Sequence, residues 1–485
     1  MYINHYKMDN VIVKRNETEM TLSPEQEQAI EAFNNNHNIF LTGPGGSGKT
    51  TLIQKMVEIS KKKGKNVQVC ALTGCAAVLL NCQAKTIHSW AGIGLASGDV
   101  DAIVRKVISS KYKSANWKKV DILIIDEVSM MSHKIFELLD TIGKRVRKST
   151  SQLPFGGIQV VFSGDFYQLP PVNSSAYSAA SSSEPVDQAA SAFCFESPLW
   201  NKTFHVDIEL KTIFRQTDTD YKKILNQIRV GKLTKSSLEK LTPHINKPLP
   251  ESFKPTILLP RRRDAELINL SELSKLTTEE KKYTLSMVLD TLPESAGATS
   301  SNTNTSSNTK KQIHQQQQQS FSDEQREMEY NFLVNNILAD KEVILKKGAQ
   351  VMCIANIDNE SADPIVNGSQ GIIVDFVGNL PLVKFNNGVK RTIGYHVWNS
   401  ENIPVIGVKQ IPLIYAWAIT IHKSQGVSLD MAQIDAGSNI FECGQTYVAL
   451  SRIKTLDGLY LTAFNPQKIK VNKKVQAYYK KYMMN

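Results

Sequence analysis

The sequence predicts an α/β fold of two units with parallel sheets, with a small β-barrel inserted into the second. Three observations predict it. An apolar run, Ile39-Phe40-Leu41, leads into a glycine loop and then into helical apolar spacing. Further apolar runs at 67–72, 120–125 and 158–162 each end in small or polar residues, the pattern of buried parallel strands. From Leu345 the pattern turns to short strands with hairpin turns, and at Pro412 it returns to α/β.

The loop is Gly43-Pro44-Gly45-Gly46-Ser47-Gly48, followed by Lys49-Thr50-Thr51. Glycines let backbone N–H groups converge on an anion without Cβ clashes. The next segment carries Leu52, Ile53, Met56, Val57 and Ile59 at helical spacing, and a helix there aims the positive end of its dipole at the same point. In that setting Lys49 reaches the β- and γ-phosphates and the Thr50 hydroxyl ligates Mg²⁺. The loop predicts a nucleotide. It does not say what the nucleotide is used for.

At 485 residues the chain has room for about two to four domains. Its 41% hydrophobic and 21% charged residues are a globular composition. No apolar run reaches the roughly 18 residues of a membrane helix. The first 20 residues lack an apolar stretch, and Asp9, Glu17 and Glu19 do not suit a transit peptide. A net charge of +11 suits a polyanionic partner, although solvated lysines alone also produce it. Six scattered cysteines without a C-x-x-C pair read as reduced thiols, not as a zinc site or disulfide framework.

In chain order, residues 1–20 form a loose arm and 21–205 the first unit. Ser23, Pro24 and Gln26 open a helix through a capping box. Gln26 is either a cap alone or also an adenine contact, since its amide both donates and accepts. Strand 67–72 ends in Thr73-Gly74, and Thr86, His88 and Trp90 follow, with Trp90 read as core. Small residues ahead of a helix suit contact with a sugar-phosphate backbone. Strand 120–125 ends in Asp126-Glu127, where Asp126 would hold Mg²⁺ and Glu127 would polarise a water. An amphipathic basic helix follows at 135–147. Strand 158–162 ends in Gly164-Asp165-Phe166 and reaches Gln168, an amide at the same sheet edge.

A Ser/Ala-rich flexible insertion covers 173–192. The second unit begins at 206–292, is interrupted by a disordered low-complexity insertion at 293–322 and a β-barrel region at 323–410, and resumes at 411–485. Residues 446–452 read as a helix that ends in a cation, Arg452. In the basic tail, Val475, Tyr479 and Tyr482 share a face and read as packed. The residues alone leave three functions open: a nucleotide-driven motor on nucleic acid, a nucleotide switch or kinase without DNA coupling, and a non-catalytic binding module.

Ordered blocks from Leu22 to Tyr479 resemble the PIF helicase family, the RecD-related superfamily 1B DNA helicases. They are LSPEQ, GPGGSGKT, ALTGCAA, TIHSWAGIG, IDEVSM, GDFYQLPPV, LKTIFRQ, LKKGAQVM, NGSQG, AWAITIHKSQG and TYVALSR. The resemblance implies two RecA-like cores, an SH3-like barrel and a small wedge-bearing insertion near 95–120, where Lys106, Lys111, Lys113 and Trp117 sit. It implies an ATP-dependent DNA helicase moving 5′→3′ on single-stranded DNA, in replication, repair or recombination, with an RNA/DNA-hybrid helicase as the variant reading. Its cofactors are ATP and Mg²⁺. By position, Gln26 reads adenine, Gly43 to Thr51 cradle the nucleotide, and Thr50 and Asp126 hold the metal. Lys49, Glu127, Gln168, Arg215 and Arg452 serve hydrolysis, with both arginines brought by the second core. Thr73, Gly74, Thr86, His88, Phe166, His422 and Lys423 face DNA. The implied partners are single-stranded and forked DNA, with hybrids and quadruplexes as further substrates, no membrane, and a monomer or DNA-induced dimer. The implied location is intracellular, the nucleus first, with a mitochondrion or cytoplasmic viral factory as alternatives.

Overall fold

The computed structural model describes residues 22–80, 82, 84–94, 96, 98–171, 192–250, 254–289, 322–355, 357, 365, 368–400, 403 and 406–480. The stretches 173–191 and 293–321 and Tyr482 lie outside them.

The first unit is a six-stranded parallel sheet. Its strands are β1 (Ile39–Thr42), β2 (Val67–Ala71), β3 (Lys85–Thr86), β4 (Ile122–Asp126), β5 (Gln159–Ser163) and β6 (Val206–Glu209), in the order β3-β2-β4-β5-β1-β6. β1, β4 and β5 are buried along their whole length, because helices cover both faces. Alternation divides their side chains. Ile39 and Leu41 join a core with the helices Pro24–Asn34 and Lys49–Lys62. Phe40 points the other way, into a core with Phe136, Phe162, Phe166 and Trp200. A parallel sheet gathers the loops that follow its strands along one edge. The glycine loop, Asp126-Glu127 and Gln168 follow β1, β4 and β5 and therefore share that edge.

The second unit is a four-stranded parallel sheet. It contains β7 (Thr256–Leu259), β18 (Ala418–Thr420), β19 (Ala432–Ala436) and β20 (Leu459–Phe464), in the order β18-β7-β19-β20. Between β7 and β18 run β8 (Glu280–Thr284), β9 (Ser286–Leu289), β10 (Glu342–Lys346), β11 (Gln350–Cys353), β12 (Gln370–Val377), β13 (Leu380–Phe385), β14 (Lys390–Thr392), β15 (His396–Asn399), β16 (Ile406–Gln410) and β17 (Leu413–Tyr415). They make three antiparallel sheets, the five-stranded β14-β13-β12-β11-β17 where the barrel is expected, with β15-β16-β9 and β10-β8 beside it in sequence. Leu345, Val351, Val383, Phe385 and Leu413 share a core there.

Three boundaries differ from the expectation. Val206–Glu209, placed at the head of the second unit, pairs with β1 as the edge strand of the first sheet. Leu413–Tyr415 pairs with β11, so the return to the second sheet comes only at Ala418. The helix Lys473–Tyr479 crosses back to the first unit, where Val475 and Tyr479 join its core. The Tyr479 hydroxyl lies 2.6 Å from Thr42 Oγ1 and accepts the Phe166 N–H at 3.2 Å. Among the described residues no helix is long and apolar enough to cross a membrane.

Candidate nucleotide site and nucleic-acid interface

A cavity of about 470 Å³ lies over the glycine loop, lined by both units. Gln26, Gly45 to Thr51, Asp126, Glu127 and Gln168 line it from the first, Gly426 and Arg452 from the second, and Phe214 and Arg215 from the segment after β6. Two glycines have backbones that other residues would strain. Gly46 has φ +82, and a Cβ there would lie 2.5 Å from Arg215 Cβ. Gly48 has φ +84, and a Cβ would lie 2.8 Å from Gln26 Nε2. The loop is bare so that these two side chains can approach it.

The two readings of Gln26 are compatible. Its Oε1 accepts the Ser23 N–H at 3.0 Å, which completes the capping box, while its amide nitrogen sits against Gly48 inside the cavity. Lys49 Nζ donates to Gly43 O at 2.8 Å and Pro44 O at 3.0 Å. Gly43 and Pro44 are not among the residues that line the cavity; their carbonyls hold Lys49. Burial lowers the Lys49 ammonium's pKa, against the pull of Asp165, Asp126 and Glu127. Burial raises the Asp126 carboxyl, and burial plus Asp126's charge raises Glu127 to about 7. Glu127 sits in the left-handed region at φ 57, and its Oε2 accepts from Gln425 Nε2 at 2.8 Å. Gln168 is buried, and its Oε1 has no hydrogen-bond partner, which leaves it available to a ligand.

A hydroxyl (Thr50) beside a carboxylate (Asp126) is the oxygen donor set that suits Mg²⁺ shared with phosphates. Among the described residues no group of three or more His, Cys, Asp or Glu forms a dedicated metal cage. Lys49 and this pair, on a glycine loop that opens the helix Lys49–Lys62, fit a magnesium nucleotide.

Arg215 departs from the expectation that the second core delivers it. The backbone N–H groups of Phe214 and Arg215 donate to Gly46 O at 2.8 and 3.3 Å, so the segment is fastened to the loop. Its side chain reaches out instead, donating through Nη1 to Ser451 O at 3.1 Å. Arg452 does come from the second unit, at the end of the helix Gln445–Leu450.

The residues expected at DNA divide into two groups. Thr73 and Gly74 follow β2, Thr86 ends β3 and His88 follows it, so they gather at one edge of the first sheet. Thr73 Oγ1 accepts the Ala76 N–H at 3.2 Å, and Thr86 Oγ1 caps the helix Ile87–Ala91. His422 and Lys423 occupy the turn after β18. Burial lowers the pKa of both His88 and His422. Phe166 is a correction. It is 2% exposed and packed among Phe40, Phe195, Trp200 and Tyr478, with no ring face for a base. Trp117, assigned to the wedge, is also core: its ring lies 4.8 Å from that of Trp90 at a 46° tilt, and it donates Nε1–H to Ala91 O.

A family model described as PIF1-like helicase matches residues 21–239, and one described as DNA helicase Pif1, 2B domain, matches 330–376. The ATP-dependent DNA helicase Pif1 of Bdellovibrio bacteriovorus is 31% identical, over 96% of this chain and 93% of its own length.

The chain belongs to the PIF1-like helicase family.

The ATP-dependent DNA helicase PIF1 of Danio rerio is 32% identical over 95% of the chain, which spans 64% of that relative's length. The crystal structure of Pif1 helicase from Bacteroides with ADP-AlF3 and single-stranded DNA matches at a TM-score of 0.63, with 29% identity over 96% of this chain and 98% of that one. Three residues of this PIF1-like helicase escaped the sequence reading. Phe214, 53% exposed, presents its ring beside Gly48 and Gln26, where a planar base would stack. Gln425 touches Glu127 from 298 positions away. Tyr447 accepts the Gly45 N–H at 2.8 Å from 402 positions away. All three stand in quoted blocks, Phe214 in LKTIFRQ, Gln425 in AWAITIHKSQG and Tyr447 in TYVALSR, but spacing gave them no role.

Proposed function

We propose that this PIF1-like helicase hydrolyses ATP with Mg²⁺ and uses the cycle to move 5′→3′ along single-stranded DNA and part duplexes. In this reading Lys49 and the loop amides hold the phosphates, Thr50 and Asp126 hold the metal, and Gln26 and Phe214 hold the base. The bound Mg²⁺ supplies charge neutralisation at the phosphates. Glu127 orients a water by accepting its proton; an ordinary glutamic acid is too weak a base near neutrality, and burial corrects that. Arg215 and Arg452 face the charge that develops on the transferred group.

The observation that carries the DNA coupling is the Gln425–Glu127 hydrogen bond. The turn that offers His422 and Lys423 to DNA also holds the water-orienting carboxylate. A strand entering beside Lys423 would therefore act on hydrolysis through three residues of backbone. Contacts to phosphates and base faces make such binding weakly sequence-specific. Unwinding of 5′-tailed against 3′-tailed duplexes with ATP tests the reading, beside DNA–RNA hybrids. Only the 5′-tailed duplex should open. Opening of 3′-tailed substrates alone overturns the polarity, and an ATPase rate indifferent to single-stranded DNA overturns the motor.

A further inference from the structure

Tyr447 stands on the helix Gln445–Leu450, and Arg452 lies two residues past its end. Its hydroxyl oxygen accepts the Gly45 backbone N–H at 2.8 Å. Gly45 faces that helix end closely: a Cβ there would lie 3.5 Å from Arg452 Nη2, 3.5 Å from Ser451 Oγ and 3.6 Å from the Tyr447 hydroxyl. The Tyr447 ring is 2% exposed and packs in the core of the second unit, so the hydroxyl is carried rigidly by that unit. Arg452 donates within its own segment, from Nε to Val448 O and from Nη2 to Ser451 Oγ. The phenol thus ties to the glycine loop the same helix end that aims the guanidinium.

We propose that Tyr447 is a positioning residue for hydrolysis: its hydroxyl docks the helix Gln445–Leu450 on the Gly45 amide and so fixes where Arg452 stands over the phosphates. This rests on the hydrolysis reading above. Burial pushes the phenol up to about 12, so at neutral pH the latch carries no charge into a site built for a polyanion. An acid at this point would repel the phosphates, and an aliphatic side chain would leave the amide unpaired. A guanidinium displaced by about 1 Å loses on the order of 10²-fold in rate, so a small contact can govern a large effect.

Tyr447→Phe keeps the buried ring and removes only the oxygen. In hydrogen exchange without nucleotide, the Gly45 amide of the variant should exchange about ten-fold faster. In nucleotide binding with Mg²⁺, its Kd for ADP should stay within about two-fold, while its affinity for ADP with aluminium fluoride falls about ten-fold. Unchanged exchange overturns the latch. Equal loss for both nucleotides, or no loss for either, overturns the positioning role. Failure of the hydrolysis reading has its own signature: the unaltered protein would bind ADP with aluminium fluoride no tighter than ADP. That result removes the positioning role too, while exchange still reports whether the latch exists.

Discussion

Arg452 is a cation almost without water around it, 2% exposed and beside a second guanidinium. Burial lowers its pKa to about 9, Arg215 adds to that shift, and Glu127 opposes it. It therefore stays charged at neutral pH, yet the protein bears a cost for it that only a ligand of opposite charge offsets. Arg452→Ala should bind ATP with near-unchanged affinity and turn it over about 10³-fold more slowly. A nucleotide titration set beside a steady-state ATPase assay checks this, and lost affinity at normal turnover would sink the finger role. That Lys49, Asp126, Glu127 and Gln168 share one cavity was legible from sequence, because each lies at or just beyond the end of its own strand or loop. Gln425 and Tyr447 were not. Their meaning lies in partners 298 and 402 positions away, and no local pattern encodes that distance.

At the scale of elements, the strands β1, β2, β4 and β5 fall within about two residues of the apolar runs that predicted them. Burial on both faces makes such runs conspicuous. The helices Val100–Ser109 and Lys111–Lys119 show the converse. The resemblance implies a wedge near 95–120, and Trp117 was grouped with the lysines there by proximity. A helix turns 100° per residue, so neighbours in sequence face different ways. Lys106, Lys111, Lys118 and Lys119 are exposed, while Trp117 is 0% exposed against Trp90. Trp117→Ala should therefore cost about 3–5 kcal/mol of stability. Chemical denaturation measures that cost. A loss below about 1 kcal/mol would mean the site collapses around the cavity or is not core. Phe166 was misjudged for a related reason. Its neighbours Asp165 and Gln168 serve the edge, but its ring turns back onto Phe40.

At the scale of the whole molecule, one buried ion pair joins three parts of the chain. Arg229, on the helix Thr219–Arg229, donates to both oxygens of Asp165, from Nε at 2.9 Å and Nη2 at 3.0 Å. Its guanidinium also lies 4.7 Å from the Tyr167 ring and 5.5 Å from that of Tyr479, which returns from the C-terminal helix. Asp165 is the turn residue whose carbonyl accepts the Gln168 N–H at 2.8 Å. The pair thus fastens the helix and the tail to the segment that presents Gln168 to the cavity. Breaking a buried pair from one side leaves an uncompensated charge, which costs about 3–5 kcal/mol. Arg229→Met should lose that much stability, because the Asp165 side chain is 0% exposed and loses its ion-pair partner. Combining it with Asp165→Asn should recover part of the loss, because the stranded charge is then gone. A denaturation series on the single and double variants decides the matter, and a double variant no more stable than Arg229→Met would show that packing against the two tyrosines, not charge, holds the junction. ATP hydrolysis in the same series reads the functional side. If the junction positions Gln168, the stimulation by single-stranded DNA should fall in Arg229→Met, at temperatures where the variant is still folded, before the affinity for ADP does.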